Sequence, residues 1–346
     1  MKKNLLGVSL LIISVLSLVS LKYNEVGTFS YIQDSDFLDL SLEDVLVNIG
    51  KEKSNHYLSK IDKDSVQMGF EMVIYGQLKD KSNKRISKFF VCTDCHNQVR
   101  EVAILSNESA DERINYGIKN DIPYLPASTF YGLYNKEHWY NGDYVKKYVD
   151  LVKPARDTLS NAIQLCAVQC SQGRSMENWE IRSVLHYLKS IEIKVADLNL
   201  PADKLNVLKL TYEKGKVNNF NNYFSNYKTY YSTTNDATFG DLHPKEPKDY
   251  KPNLEKGKYI FDNGCLHCHG MGKNITNFEF DTDKLTFSFL ESKLEKQNHF
   301  TVPYIVRKGT YAVSGHKQYM PQYPLEKMSD SQLFDLINYI KSESEK

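Results

Sequence analysis

The sequence predicts an all-α, mostly helical fold: two helical domains in tandem, joined by an irregular linker. Three observations lead there. A chain of 346 residues has room for two ordinary cores. Apolar residues recur at i, i+3, i+4 and i+7 near the end of each half. The pentapeptide C-x-x-C-H occurs twice, each time after a helical pattern and well before another. Hydrophobic content of 41% with 25% charge is that of a globular protein. Lys plus Arg number 44 against 43 for Asp plus Glu, so the net charge of +1 excludes a basic footprint for nucleic acid.

The amino terminus reads as a targeting segment. Lys2 and Lys3 precede an apolar stretch at residues 5–21, the charged start and apolar middle of an export signal. Its length lies between a signal's apolar region and the roughly 20 residues of a membrane span. A cleaved signal and a retained membrane anchor at residues 1–21 are both open. The lack of an A-x-A cleavage site favours the anchor. Either way the protein is expected in the periplasm or another extracytoplasmic compartment.

The six cysteines fall in three close pairs, and two of the pairs lie in the duplicated pentapeptide. Cys92-Thr93-Asp94-Cys95-His96 and Cys265-Leu266-His267-Cys268-His269 carry the attachment signature of c-type haem. Two intervening residues place both sulfurs on one face of a helical turn, able to form thioethers with two porphyrin vinyls. The next residue, His96 or His269, then lies beneath the iron. A zinc site would need a second pair of soft ligands for each motif, and a thioredoxin-type disulfide would not recur with the trailing histidine. Two covalently bound haem c groups are therefore expected. His267, inside the second motif, is read as a bystander.

The second domain is placed at residues 251–346. Leu254 to Phe261 has helical apolar spacing, and Gly257 offers a place for a partner helix to approach. Ser329-Asp330-Ser331-Gln332 is a capping-box sequence, followed by Leu333, Leu336, Ile337 and Ile340 on one helix face. Between them Tyr319-Met320-Pro321 sets a methionine in a polar, proline-bearing loop. Core filling is the common use of methionine, but this setting makes Met320 the expected distal iron ligand, with His316 as the alternative. The segment resembles a class I cytochrome c domain, with haem motif, Met-Pro loop and closing helix in that order, and the resemblance implies His/Met ligation.

The first domain, residues 39–195, repeats the plan. Val66 to Leu78 forms an apolar-periodic helix with Gly69 and Gly76, and Ile181, Val184, Leu185 and Leu188 mark a closing helix. Tyr187 in Leu185-His186-Tyr187-Leu188 matches Tyr339 in Ile337-Asn338-Tyr339-Ile340. The first copy is longer, much of the excess being the aromatic stretch Tyr131 to Tyr148 with His138-Trp139-Tyr140-Asn141, expected to wall off the haem edge. Where the second domain has Met320, the first has Cys166 and Cys170. A thiolate from this pair is the expected ligand and would lower the potential. A disulfide between the two, or a pair of inert thiols, are the alternatives.

The order of these motifs resembles the dihaem cytochromes of the thiosulfate dehydrogenase family. The first domain is also similar to the catalytic haem subunit of the sulfur-oxidising multienzyme system. The resemblance implies a Cys-ligated catalytic haem followed by a Met-ligated one, with Cys166 matching the ligand by its spacing to Gly173. Cys170 is a second thiol that the family lacks.

Residues 196–250 begin with a helical pattern from Pro201 to Gly215 and then turn polar, with Pro244, Pro247 and Pro252 near the end, as in a tether. Two functions follow. One is an exported dihaem oxidoreductase, its Cys-ligated haem oxidising a small inorganic sulfur anion such as thiosulfate and its His/Met haem passing electrons on. The other is a non-catalytic carrier between a membrane donor and a terminal oxidase or reductase. The expected partner is a redox cytochrome, a quinol-linked complex or an oxidase. Lys146, Lys147, Lys153, Arg156 and Arg174 are the candidate anion-binding cations, Arg174 foremost and paired with Cys166 as the catalytic candidates.

Overall fold

The computed structural model describes residues 33–107, 109–140, 142–225, 227, 240–242, 244–294, 301–311 and 319–346, so the apolar segment at residues 5–21 and His316 lie outside the described residues. The chain divides after Leu38. Asp34–Leu38 is a short helix, α1, in the first unit. The second unit, from Asp39 onward, carries both pentapeptides. In chain order it contains α2 (Leu42–Ile49), α3 (Lys63–Tyr75), α4 (Ala110–Asn120), α5 (Gly142–Tyr148), α6 (Leu159–Leu165), α7 (Asn178–Ser190), α8 (Ala202–Lys214), α9 (Phe220–Ser225), α10 (Leu254–Ile260), α11 (Leu266–His269), α12 (Lys284–Glu291), α13 (Val302–Lys308) and α14 (Asp330–Ser344). Among the described residues there is no strand, only the isolated bridges Ser41 to Lys194 and Gly270 to Phe280. None of the described helices is long and apolar enough to cross a membrane.

Local chemistry sets the helix ends. Asp62 caps α3 by accepting from the Ser65 amide, and Gly76 ends it at φ +70°, a left-handed position that suits glycine. In the other half Asn253 caps α10, and Ser329 exchanges hydrogen bonds with Gln332 at the start of α14.

The two halves use the same helix crossing. α3 packs on α7, and α10 packs on α14. At the first crossing Gly69 lies against the Ser183 carbonyl and the Tyr187 Cβ; at the second Gly257 lies against the Asp335 carbonyl and the Tyr339 Cβ. A Cβ on either glycine would collide with the opposing carbonyl, so both are glycine for closeness rather than for backbone freedom. The periodicity that paired Tyr187 with Tyr339 therefore marks two equivalent crossings. Each closes its own apolar cluster, one around Met72, Leu159 and Leu188, the other around Ile260, Phe287 and Leu336.

The halves are nevertheless not separate beads on a strap. Ile114 of α4 and Tyr124, both from the first half by sequence, belong to the second half's core. The Tyr124 hydroxyl donates to the Lys327 carbonyl at 2.5 Å, its amide donates to the Asn263 carbonyl at 2.9 Å, and its carbonyl accepts from the Tyr323 hydroxyl at 2.7 Å. α4 buries Ala110, Arg113, Ile114 and Gly117 along one face, and that face meets the other half. A buried ion cluster locks the same seam: Glu101 pairs with Arg113 at 3.0 Å and with Lys327 at 3.0 Å, all three side chains at most 6% exposed. Among the described residues between 196 and 250, the helical pattern from Pro201 to Gly215 forms α8, and the polar stretch after it holds the short α9.

Burial alone would raise the Glu101 carboxyl, but Arg113 and Lys327 outweigh it and bring it from 4.5 down to about 2. A depressed carboxyl stabilises the fold above its unfolded value and loses that contribution as pH falls through its folded one. Glu101→Gln is thus expected to destabilise by about 3–5 kcal/mol at neutral pH, because it leaves buried cations uncompensated. Urea unfolding followed from pH 7 to pH 2 should show wild-type stability falling between about pH 4.5 and 2, and that fall diminished in the variant.

Candidate functional site

The two pentapeptides are presented by different local structures. The first follows α3 after an extended excursion and forms a tight 3-10 turn at Cys92–Asp94, with the Asp94 carboxylate accepting from the Val91 amide at 2.8 Å. The second is an unbroken continuation of α10 through a wide turn at Phe261–Cys265 into α11.

Their histidines are held identically. His96 Nδ1 lies 2.6 Å from the Ser128 carbonyl oxygen, and His269 Nδ1 lies 2.6 Å from that of Phe278. A carbonyl can only accept, so in each ring Nδ1 carries the proton and the Nε2 lone pair is left for a metal. Behind each ring a phenylalanine two residues after that carbonyl stacks in parallel: Phe130 on His96 at 4.5 Å between centroids, Phe280 on His269 at 4.7 Å. Burial pushes His96 down to about 4 against the opposing pull of the Ser128 bond, and burial likewise lowers His269. Both imidazoles are therefore in the neutral, metal-ligating form near pH 7.

Cys92, Cys95 and His96 open onto a cavity of about 240 Å³. Its walls are largely apolar, from Met72, Val73, Leu159 and Leu188, and Tyr140 and Tyr144 of the aromatic stretch help to enclose it. Cys166 and Cys170 line the same cavity. α6 runs into a wide turn over Cys166–Cys170, closed by the Ser171 amide on the Cys166 carbonyl at 2.9 Å. Both cysteines are free thiols, not a disulfide. They are hydrogen-bonded to one another, and Cys170 is also hydrogen-bonded to the hydroxyls of Tyr319 and Tyr140. The bond from Cys166 first, with those from the tyrosines and with Lys147 nearby, holds the Cys170 thiol below its ordinary range despite burial. Apolar walls, two tethering thiols, a proximal imidazole with Nε2 free and a pair of thiols in the same chamber fit haem c.

Met320 packs against the second core, as do Cys265 and Leu266 of the second pentapeptide. Its amide donates to Thr310 Oγ1 at 2.8 Å, and its carbonyl accepts from the Thr310 amide at 2.9 Å. Fully buried Arg307 donates to the carbonyls of Tyr323 at 3.1 Å and Met328 at 2.5 Å, fixing the strand of chain that follows.

The expected anion-binding cations are elsewhere. Arg174 is committed to Glu180, at 2.6 and 2.7 Å, and to the Lys84 carbonyl, and it is not among the residues lining the cavity. Its backbone amide is fixed to the Ile86 carbonyl at 2.8 Å, which places the side chain beside the start of α7. Lys147 donates to the carbonyls of Lys308 at 2.5 Å and Thr310 at 3.1 Å, and burial brings its ammonium down to about 8. Lys146 and Lys153 are exposed. The cationic side chains that do line the cavity are Lys136 and Lys327, with His138, which pairs with Asp157 at 2.6 Å. Lys327 comes from the other half, where local charge patterning in the first domain gives no sign of it.

His267, read as a bystander, has a contact of its own across the halves. It is hydrogen-bonded to the Thr93 backbone and lies near Asp94, both inside the first pentapeptide. Cys268 Sγ is 3.6 Å from the Asp94 carbonyl oxygen. The two C-x-x-C-H motifs are in direct contact.

An all-α fold in which crossing helices enclose a C-x-x-C-H turn, with its imidazole oriented by a carbonyl, defines a c-type cytochrome. Residues 254–344 match the cytochrome c family model, and the chain is 30% identical to cytochrome c6 of Cyanidium caldarium over 110 residues, 32% of this chain and 89% of that protein. No solved structure matches the chain. The chain belongs to the cytochrome c family. It carries covalently bound haem c, transfers electrons through it and works with a protein redox partner.

Because Cys166 and Cys170 are unpaired thiols, alkylation of the denatured protein with no reductant is expected to label both. Peptide mass spectrometry checks this: a 166–170 peptide two hydrogens lighter and unlabelled would mean a disulfide instead.

Proposed function

We propose that the protein is an exported dihaem c-type cytochrome, anchored or released by residues 5–21, with one haem c on Cys92 and Cys95 and another on Cys265 and Cys268. The observation that carries the second haem is the repeat around the first motif. Gly69 against Ser183 and Tyr187, His96 on the Ser128 carbonyl and Phe130 stacked behind it reproduce Gly257, His269 and Phe280 and their neighbours. When bound, each haem supplies a one-electron couple. The chain's part is to hold His96 and His269 in one tautomer, to exclude water with apolar walls, and to bring the two motifs together at Cys268 and Asp94.

In this reading Met320 in the second half and a sulfur of the Cys166/Cys170 pair in the first would join the histidines in holding the irons. A negatively charged sulfur would stabilise ferric iron and a thioether the ferrous state, which would make the first site the one of lower potential. By its resemblance to the thiosulfate dehydrogenases the donor is a small sulfur anion. Joining two thiosulfates through a new sulfur–sulfur bond would release two electrons, which two one-electron couples could take up. Lys136 and Lys327 line the cavity and would supply the positive charge that such an anion needs. The acceptor is a further cytochrome, a quinol-linked complex or an oxidase.

Protein matured with its haem and denatured in alkaline pyridine is expected to show two equivalents of haem c, falling to one in Cys92→Ala/Cys95→Ala; one equivalent in the wild type would remove the dihaem assignment. Thiosulfate is expected to reduce the Met320 haem in the wild type and not in Cys166→Ala or Cys170→Ala. If no sulfur anion reduces the wild type, the non-catalytic carrier is the correct function.

A further inference from the structure

The loop that presents Met320 to the second core presents the residue before it, Tyr319, to the first cavity. Tyr319 lines the chamber of Cys92, Cys95 and His96, while Met320 packs on the cluster that holds Cys265. Neighbouring residues of an extended chain point to opposite sides, so a loop running between the two sites serves both at once. The Tyr319 hydroxyl is hydrogen-bonded to the Cys170 sulfur and to the Tyr148 hydroxyl.

The loop is held in that position from both halves. Gly309, at φ +63°, lets the Met320 carbonyl lie directly against its Cα, where a Cβ would collide. Thr310 and Met320 exchange two hydrogen bonds, at 2.8 and 2.9 Å. From the first half, Lys147 grips the carbonyls of Lys308 and Thr310, and its ammonium lies over the rings of Tyr148 and Tyr311, 5.2 and 5.1 Å from their centroids. Tyr140, Tyr144, Tyr148 and Tyr311 form a file of ring contacts at 5.2, 6.1 and 5.6 Å that joins the cavity to the base of the loop. Tyr319 is thus fixed by packing on both sides, as a side chain that orients another must be.

We propose that Tyr319 is a positioning residue of the first haem site: supplied by the second half, its hydroxyl donates to the Cys170 sulfur and weakens that sulfur's donation to the iron. The proposal rests on the thiolate-ligation reading, with Cys170 rather than Cys166 as the ligating sulfur of the pair. A hydrogen bond to a ligand sulfur withdraws charge from it and so favours the reduced metal. Removing the bond makes the sulfur a stronger donor and lowers the potential of the first haem.

The test uses the full-length holoprotein, with each haem followed separately by spectroelectrochemical titration and low-temperature electron paramagnetic resonance. Tyr319→Phe keeps the ring and its packing. It is expected to retain the thiolate-ligated signature, to lower the equilibrium constant for reduction of the first haem about tenfold, equivalent to about 59 mV for one electron, and to leave the thioether band of the second haem in place. Met320→Leu is the control for displacement of the loop: it should abolish that thioether band and leave the first haem's potential where it is. An unchanged first potential in Tyr319→Phe, with the thiolate signature intact, overturns the role of Tyr319 while the thiolate reading stands. A matching fall in Met320→Leu also overturns it, since the shift would then come from loop movement. Absence of a thiolate signature in the wild type overturns the ligation reading and this proposal with it.

Discussion

Each imidazole of this protein is aimed by one hydrogen bond to a backbone carbonyl, and much of the surrounding structure exists to put that carbonyl in place. His96 depends on Ser128 and His269 on Phe278, at the same 2.6 Å. Without the acceptor a ring could flip or take the tautomer with its proton on Nε2, which leaves that nitrogen no lone pair for a metal. The Phe130 amide reaches the Asn97 carbonyl and the Phe280 amide reaches that of His269, so the segment supplying each carbonyl is stitched back to its own motif. The stacked phenylalanine then removes the remaining freedom of the ring. This unit of motif, carbonyl and phenylalanine is what repeats, even though the chain between motif and carbonyl differs greatly in length in the two halves.

The constraint extends to the helices. An imidazole can be aimed at an iron only if the wall across the cavity stays at a fixed distance, and close-packed interiors hold such distances well. The crossings at Gly69 and Gly257 set that distance by bringing helix backbones into contact without an intervening side chain. Larger residues at these positions would spread α3 from α7 or α10 from α14 and open the chamber that each pair closes.

These features differ in how far the sequence discloses them. The pentapeptides, the capping box at Ser329 and the glycine and tyrosine spacing of the crossings are local patterns with a direct physical meaning, and they stand where the spacing puts them. Partners distant along the chain are another matter. Nothing in residues 110–120 says that Ile114 joins the core of the other half. A run of lysine and arginine near the first closing helix says only that charge is present. Arg174 is drawn to Glu180, which a capping position on α7 places beside it, whereas Lys327 arrives from the far end of the chain. His267 and Tyr319 are illegible for the same reason, since each is defined by a contact across the seam.

That seam decides what kind of electron-transfer protein this is. Two cytochrome domains on a flexible strap would meet only occasionally, with a spread of separations. Here Glu101, Arg113 and Lys327 form a buried charge cluster, and Tyr124 donates and accepts across the boundary with its hydroxyl, amide and carbonyl. Buried charges that satisfy one another tolerate little sliding, because any displacement leaves an ion unpaired in a low-dielectric interior. The contact of Cys268 with the Asp94 carbonyl is therefore a fixed feature of the fold. The partners that hold this contact lie at residues 101–124 and 263–332, so the approach of the two pentapeptides is set by the seam itself.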